Sequence, residues 1–265
     1  GRESRPPPPS EVPLKIKGEA GRLPEPLRGM LTALVTSGTA QASGQTREVI
    51  SRQMAALGEA CSRLIGGRYP FARDSRSDVT PEDFARVFSA GSGLLDEFFQ
   101  KNLAALVDTQ VKPWKFRDAA MGDSGALRQF QHAAEIRDVF FGGGARGVQM
   151  RIEFRPIDMD TSLSKMVLNV DGQELPYQFG PQVPKSMQWP GPGGTNQIRL
   201  QVTVKDPPKE SQLLFEGPWA LFRMFDRAQI ESSGQPDKFR ATFSVDGKRV
   251  QFDVATSSVR NPFRL

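Results

Sequence analysis

The sequence predicts an α+β chain: an N-terminal α-helical bundle followed by an antiparallel β-sandwich with one short inserted helix. Three observations predict it. Up to Phe141, apolar residues recur at steps of three and four, the period of helices packed along one face. Beyond Gly142-Gly143-Gly144 the period drops to two, as in strands with one buried side. Two Asp-Gly pairs, Asp171-Gly172 and Asp246-Gly247, stand between apolar runs where two-residue hairpin turns need positive φ. The domains read as a proline-rich linker over 1–22, a helical domain over 23–141 and a sandwich over 148–265.

Composition narrows the function classes. The 265 residues suffice for two ordinary domains, and 35 basic against 30 acidic side chains leave a net charge of only +5. The excess is spread out, whereas nucleic-acid binding needs a clustered basic face, so no nucleic-acid partner is expected. Cys61 is the only cysteine, which excludes an internal disulfide; its place in an apolar helical stripe makes it a small core residue. No run reaches the roughly 18 to 20 apolar residues of a membrane span. Residues 1–10 lack the apolar core of a signal peptide, and Pro6 to Pro9 read as an extended linker. Such a start is expected of a piece cut from a longer protein whose anchor lies upstream.

The helices follow in order. A first helix is expected over 24–35, ended by the Gly, Ser and Thr cluster of 37–44. Over 46–65, Ile50, Met54, Leu57, Cys61 and Leu64 make a packing stripe that Gly66-Gly67 closes. Thr80-Pro81-Glu82-Asp83 supplies an N-cap, a first-turn proline and acidic side chains at the positive end of the next helix, which buries Phe84, Val87 and Phe88. After Gly91-Ser92-Gly93 a helix is expected over 94–107, with Leu95, Phe98, Phe99, Leu103 and Leu106 inward. The last, over 124–141, turns Leu127, Phe130, Ala134 and Phe141 inward.

The strands are read from alternation. Val148, Met150, Ile152 and Phe154 alternate with polar residues, as do Ile198, Leu200, Val202 and Val204. A turn at Asp246-Gly247 sets Val245 opposite Lys248, Phe243 opposite Val250, Ala241 opposite Phe252 and Phe239 opposite Val254. The same construction at Asp171-Gly172 sets Val170 opposite Gln173, Leu168 opposite Leu175 and Met166 opposite Tyr177. A slip of one residue would scatter these apolar pairs over both faces, so the register is strongly specified. Between the strands, Gly217-Pro218-Trp219-Ala220-Leu221-Phe222-Arg223-Met224-Phe225-Asp226 reads as a short helix. Its proline suits the first turn, and Trp219, Phe222 and Phe225 form a face that plugs the β core.

Tests for chemistry return little. Gly142, Gly144 and Gly147 have the spacing of a dinucleotide loop, but a helix precedes and a strand follows, the reverse of what a phosphate site needs. His132 is the only histidine, so neither a metal cluster nor a nucleophile–base pair can be assembled around it. Gly122-Asp123-Ser124-Gly125 lacks the spacing of a serine elbow and suits a helix cap. Asp158 and Asp160 could pair for acid–base work, yet turn formation explains them better. Trp189 beside Pro190-Gly191-Pro192-Gly193-Gly194 could stack on a sugar or simply pack. The sequence thus predicts no catalytic residues, no metal and no cofactor.

Tyr69-Pro70-Phe71, Asp83-Phe84, Phe98-Phe99, Trp189-Pro190-Gly191, Gly217-Pro218-Trp219-Ala220-Leu221-Phe222-Arg223 and Asn261-Pro262-Phe263, in that order, resemble the C-terminal region of the IcmF/TssM family of type VI secretion proteins. The resemblance runs from about Tyr69 to Phe263. It implies the periplasmic part of an inner-membrane protein that binds the outer-membrane lipoprotein TssJ and builds an envelope-spanning complex with TssL and further copies of itself. The family's cytoplasmic nucleotide-binding region and membrane helices have no counterpart in this sequence. A structural role follows, with Trp189, Pro190, Asn261, Pro262 and Phe263 as expected partner contacts; a peptidoglycan-binding module is the alternative.

Overall fold

The structure, a computed structural model, describes residues 44–119, 124–141 and 149–256. The expected linker and first helix, and the glycine run at 142–147, lie outside the described residues. The chain divides into two compact units that meet in sequence between Gly147 and Val148.

The first unit holds four described helices. Helix α1 (Gly44–Ile65) buries Leu57, Cys61 and Ile65. Leu64, expected inward, is only half-buried, because a stripe stepping by four from Leu57 reaches Ile65 instead. Helix α2 (Pro81–Phe88) begins as its sequence requires: the Thr80 hydroxyl accepts the Asp83 amide at 3.1 Å and Pro81 occupies the first turn. Helix α3 (Leu94–Asn102) stops short of the expected 107. The Asn102 carboxamide donates to the Phe98 carbonyl at 3.0 Å, competing with the helix for its own acceptor. A 3₁₀ turn (Ala104–Leu106) follows, and Val107 enters a two-residue strand β1 (Val107–Asp108) paired antiparallel with β2 (Lys115–Phe116). A second 3₁₀ turn (Ser124–Leu127) replaces the expected start of helix α4 (Arg128–Phe141). Phenylalanines tie the helices together, with Phe84 edge-on to Phe140 at 5.3 Å and Phe99 against Trp114 at 5.1 Å.

The second unit is two antiparallel sheets. In one, β6 (Lys185–Trp189), β3 (Met150–Met159), β11 (Lys248–Thr256), β10 (Lys238–Val245) and β9 (Gln229–Ser232) lie side by side in that order. In the other the order is β5 (Gln173–Tyr177), β4 (Leu163–Val170), β7 (Gln197–Val204) and β8 (Lys209–Glu216). Both predicted hairpins hold residue for residue: Val245 faces Lys248, Phe239 faces Val254, Val170 faces Gln173 and Met166 faces Tyr177. Asp171 and Asp246 have φ of 48° and 49°, each followed by a glycine at positive φ, so the primed turn matches the twist of the strands it joins. Pro156 sits inside β3 without breaking it, since β6 pairs only as far as Phe154 and a bulge separates Phe252 from Gln251 on the other side.

Helix α5 (Ala220–Asp226) lies between β8 and β9 in the chain and plugs the core between the sheets, with Phe225 within 5.3 Å of Phe239 and 6.1 Å of Phe154. Two expectations are corrected here. Pro218 precedes the helix rather than opening it, since Trp219 holds the N-cap position. Ala220, Leu221 and Met224 are as buried as Trp219, Phe222 and Phe225, so the buried surface of the helix is wider than that one face and only Arg223 and Asp226 are left half-buried.

Candidate assembly site

Trp189 ends β6, and its side chain is 1% exposed, with the indole N–H donating to the Pro218 carbonyl at 3.0 Å. The indole therefore anchors the entry to α5, and its ring is unavailable to a sugar or a partner. Pro190, Pro192, Gly193 and Gly194, which follow it, are the exposed part of the loop. Asn261, Pro262 and Phe263 lie outside the described residues. The other two tryptophans, Trp114 and Trp219, are also buried, so no indole of the chain offers a stacking platform.

The loop is held by a residue read only as a turn-former. The buried Asp171 carboxylate accepts the Gly191 amide at 2.9 Å, the Thr195 amide at 2.9 Å and the Thr195 hydroxyl at 3.0 Å. Its own carbonyl accepts the Gly193 amide at 2.7 Å. A Cβ on Gly191 or on Gly193 would come within 2.7 Å of that carbonyl, so the close approach demands glycine at both positions. The spacing of Asp171 from the loop, some twenty residues, gave no local signal beyond the turn.

Nearby, Gln173 of β5 uses its carboxamide like a peptide group on the edge of β6. It accepts the Gln188 amide at 2.8 Å and donates to the Gln188 carbonyl at 2.7 Å. Lys185 adds a bond to the Glu174 carbonyl at 2.6 Å. The edges β5 and β6 are thereby stitched across the two sheets and withdrawn from pairing with another chain. At the opposite ends of the sheets, β8 and β9 have no further strand beside them among the described residues. Strand β8 is eight residues long and carries an exposed Leu214, a surface suited to strand addition or side-chain docking. Its first residues are clasped to the other sheet, because Ser211 donates to the Asp246 carboxylate at 3.1 Å and Lys209 approaches it at 3.4 Å. These contacts hold the Asp246 carboxyl below its ordinary value, the Ser211 hydrogen bond most, then Lys209.

No acid–base pair forms at Asp158 and Asp160. Asp158 is ion-paired with Arg249 at 2.8 Å, while Asp160 accepts the Ser162 hydroxyl at 2.7 Å and amide at 2.9 Å, which lower its pKa. Across the outer face of the larger sheet, Arg155, Asp253, Arg240 and Glu231 stand opposite one another on successive strands, with alternating sign. Asp253 binds both arginines, so this row is a self-compensated, solvated surface. Ser124 accepts the Phe116 amide at 3.1 Å and braces β2. Half-buried His132 lies in α4, and no cluster of three potential metal ligands occurs among the described residues. Among those residues, too, no helix is long and apolar enough to cross a membrane.

Residues 152–258 match the family described as the type VI secretion protein IcmF C2-like domain. The chain is 36% identical over 255 residues to the type VI secretion system component TssM1 of Pseudomonas aeruginosa; the match takes in 94% of this chain and 23% of that protein. The chain thus spans about a quarter of that relative's length. Among solved structures, the C-terminal domain of the type VI secretion protein TssM from EAEC superposes with a TM-score of 0.72 at 21% identity, over 84% of this chain and 94% of that one. A chain of a type VI secretion system membrane core complex superposes with a TM-score of 0.71, also at 21% identity, over 82% of this chain and 45% of that one. At such identities these two likenesses concern the fold.

Proposed function

The chain belongs to the C-terminal region of the IcmF/TssM family of type VI secretion proteins, and from that we propose that it is a structural, non-catalytic part of the type VI secretion membrane complex. It stands in the periplasm as a portion of an inner-membrane protein. There it binds the outer-membrane lipoprotein TssJ, meets TssL through the same assembly and associates with further copies of itself. The exposed loops and the β8 edge of the sandwich make the contacts.

The observation that carries this reading is the 36% identity to TssM1 running over 94% of the chain, helical and sandwich parts alike. The described residues support it physically. The Asp171 carboxylate is engaged in holding a loop and Asp158 in an ion pair with Arg249 of the neighbouring strand, as suits a structural role. The exposed residues after Trp189, beginning with Pro190, and the segment Asn261-Pro262-Phe263 are the proposed contacts, with Trp189 holding its loop from beneath. The peptidoglycan reading is the weaker one, because buried tryptophans cannot stack on sugar rings.

Calorimetry of this chain against lipid-free TssJ from the same organism tests the proposal. An equimolar, saturable complex is expected. A folded chain that releases no heat at any concentration of TssJ would remove that contact from the reading.

A further inference from the structure

The loop between β5 and β6, residues 178–184, holds two of the three large hydrophobic side chains exposed among the described residues: Phe179 at 44% and Val183 at 61%. Leu214 is the third. The loop is braced on its own unit. The Gln182 carboxamide donates to the carbonyl of Ile157, the residue set aside by the β3 bulge, at 2.8 Å. Phe179 packs against Tyr177 at 5.9 Å between ring centres, and the Lys205 ammonium lies over its ring at 5.8 Å. Pro181 and Pro184 restrict the backbone on either side of Val183.

Phe179 has φ of 62°, a left-handed conformation that an aromatic residue rarely adopts and that persists only when its surroundings impose it. A braced loop that keeps an aromatic residue in this conformation, exposed, sacrifices stability for shape. One cation, Lys205, lies over its ring. Lys205 is exposed, and Lys165 stands on β4 one residue from the pairing of Met166 with Tyr177; among the described residues neither forms an ion pair. Lys185 follows Pro184, and Asp206 is the one carboxylate adjacent in sequence.

We propose that the Phe179–Val183 loop, with Lys165 and Lys205, is a docking surface for an apolar protein segment flanked by carboxylates. The apolar pair supplies an anchor that loses its water on contact, and the lysines supply the matching charge. A protein segment suits the site better than an anionic bilayer. A bilayer rewards apolar bulk without regard to shape, and one Phe and one Val would give only marginal membrane binding. The proposal rests on the assembly reading above and names the surface through which a partner would be held.

The test uses the full-length protein in its own cell, with a photoreactive phenylalanine analogue at position 179 and, separately, at exposed position 212 on β8. The expected adduct from position 179 maps to a partner peptide rich in Asp, Glu and apolar residues. The double variant Lys165→Glu, Lys205→Glu lowers its yield about tenfold, without changing the chain's melting curve. Adducts confined to lipid, no adduct from position 179, or a yield indifferent to charge reversal would overturn the proposal. Co-purification of the unmodified chain with the secretion complex is measured alongside. If the complex forms but position 179 gives no adduct, only the docking surface fails; if the complex does not form, the assembly reading fails and the docking surface with it.

Discussion

Asp171 and Asp246 announce themselves as turn residues, yet each carboxylate also ties one sheet to a segment outside its own hairpin. Asp171 does so from inside, with three donors on one buried side chain. Replacing it with Ala leaves those donors unmatched and is expected to cost about 3 kcal/mol, read as a loss in urea-unfolding free energy. Asp246 does so in solvent, and its effect is read through pH. Its carboxyl titrates below the ordinary 3.8 in the folded chain, so the folded state binds its proton less readily than the unfolded one. That contribution is complete above pH 3.8 and is lost as pH falls through the depressed value. Asp246→Asn should therefore flatten the acid end of a stability–pH curve; an unchanged acid limb would refute the clasp. Burial pushes the Cys61 thiol up to about 12. At pH 8 it should react with a maleimide only as fast as the first unit opens, which rising urea would accelerate.

At the scale of elements, α5 is the part whose loss matters most to the sandwich. Phe225 touches rings on β3 and β10 at once. Phe225→Ala is expected to cost about 3–5 kcal/mol, because the surrounding rings are held by separate strands and cannot collapse together into the space. Thermal melts followed by near-ultraviolet circular dichroism would measure it. The register of the two hairpins was legible because alternation of period two and a turn demanding positive φ act within a dozen residues. The end of α3 was not. Leu103 and Leu106 continue a helical spacing, and only the Asn102 side chain's bond to Phe98 and the pairing of Val107 with Phe116 show where the helix gives way to a strand.

For the whole molecule, the two units each bury their own aromatic cluster, so each is expected to fold by itself. A fragment of residues 148–265 should give a cooperative melt and a β-type far-ultraviolet spectrum. A spectrum without structure would show that the sandwich depends on the helical unit. The same fragment, titrated with lipid-free TssJ beside the entire chain, would reveal which unit carries the proposed contact.

The sequence by itself determined the switch from helical to alternating period, both hairpin registers, the cap of α2, the burial of α5's aromatic residues and, through an ordered series of short motifs, the family. All of these are local, or depend on the order of short segments, and need no knowledge of what lies across the fold. The tertiary structure alone decided which way Trp189 faces, what the two turn aspartates bind, which sheet edges are stitched and which left open, and that Phe179 stands exposed in a strained conformation. Those outcomes depend on partners 11 to 37 residues distant, such as Glu174 for Lys185, Gly191 for Asp171 and Lys209 for Asp246, and hydrogen-bond geometry at that range leaves no periodic trace in the chain.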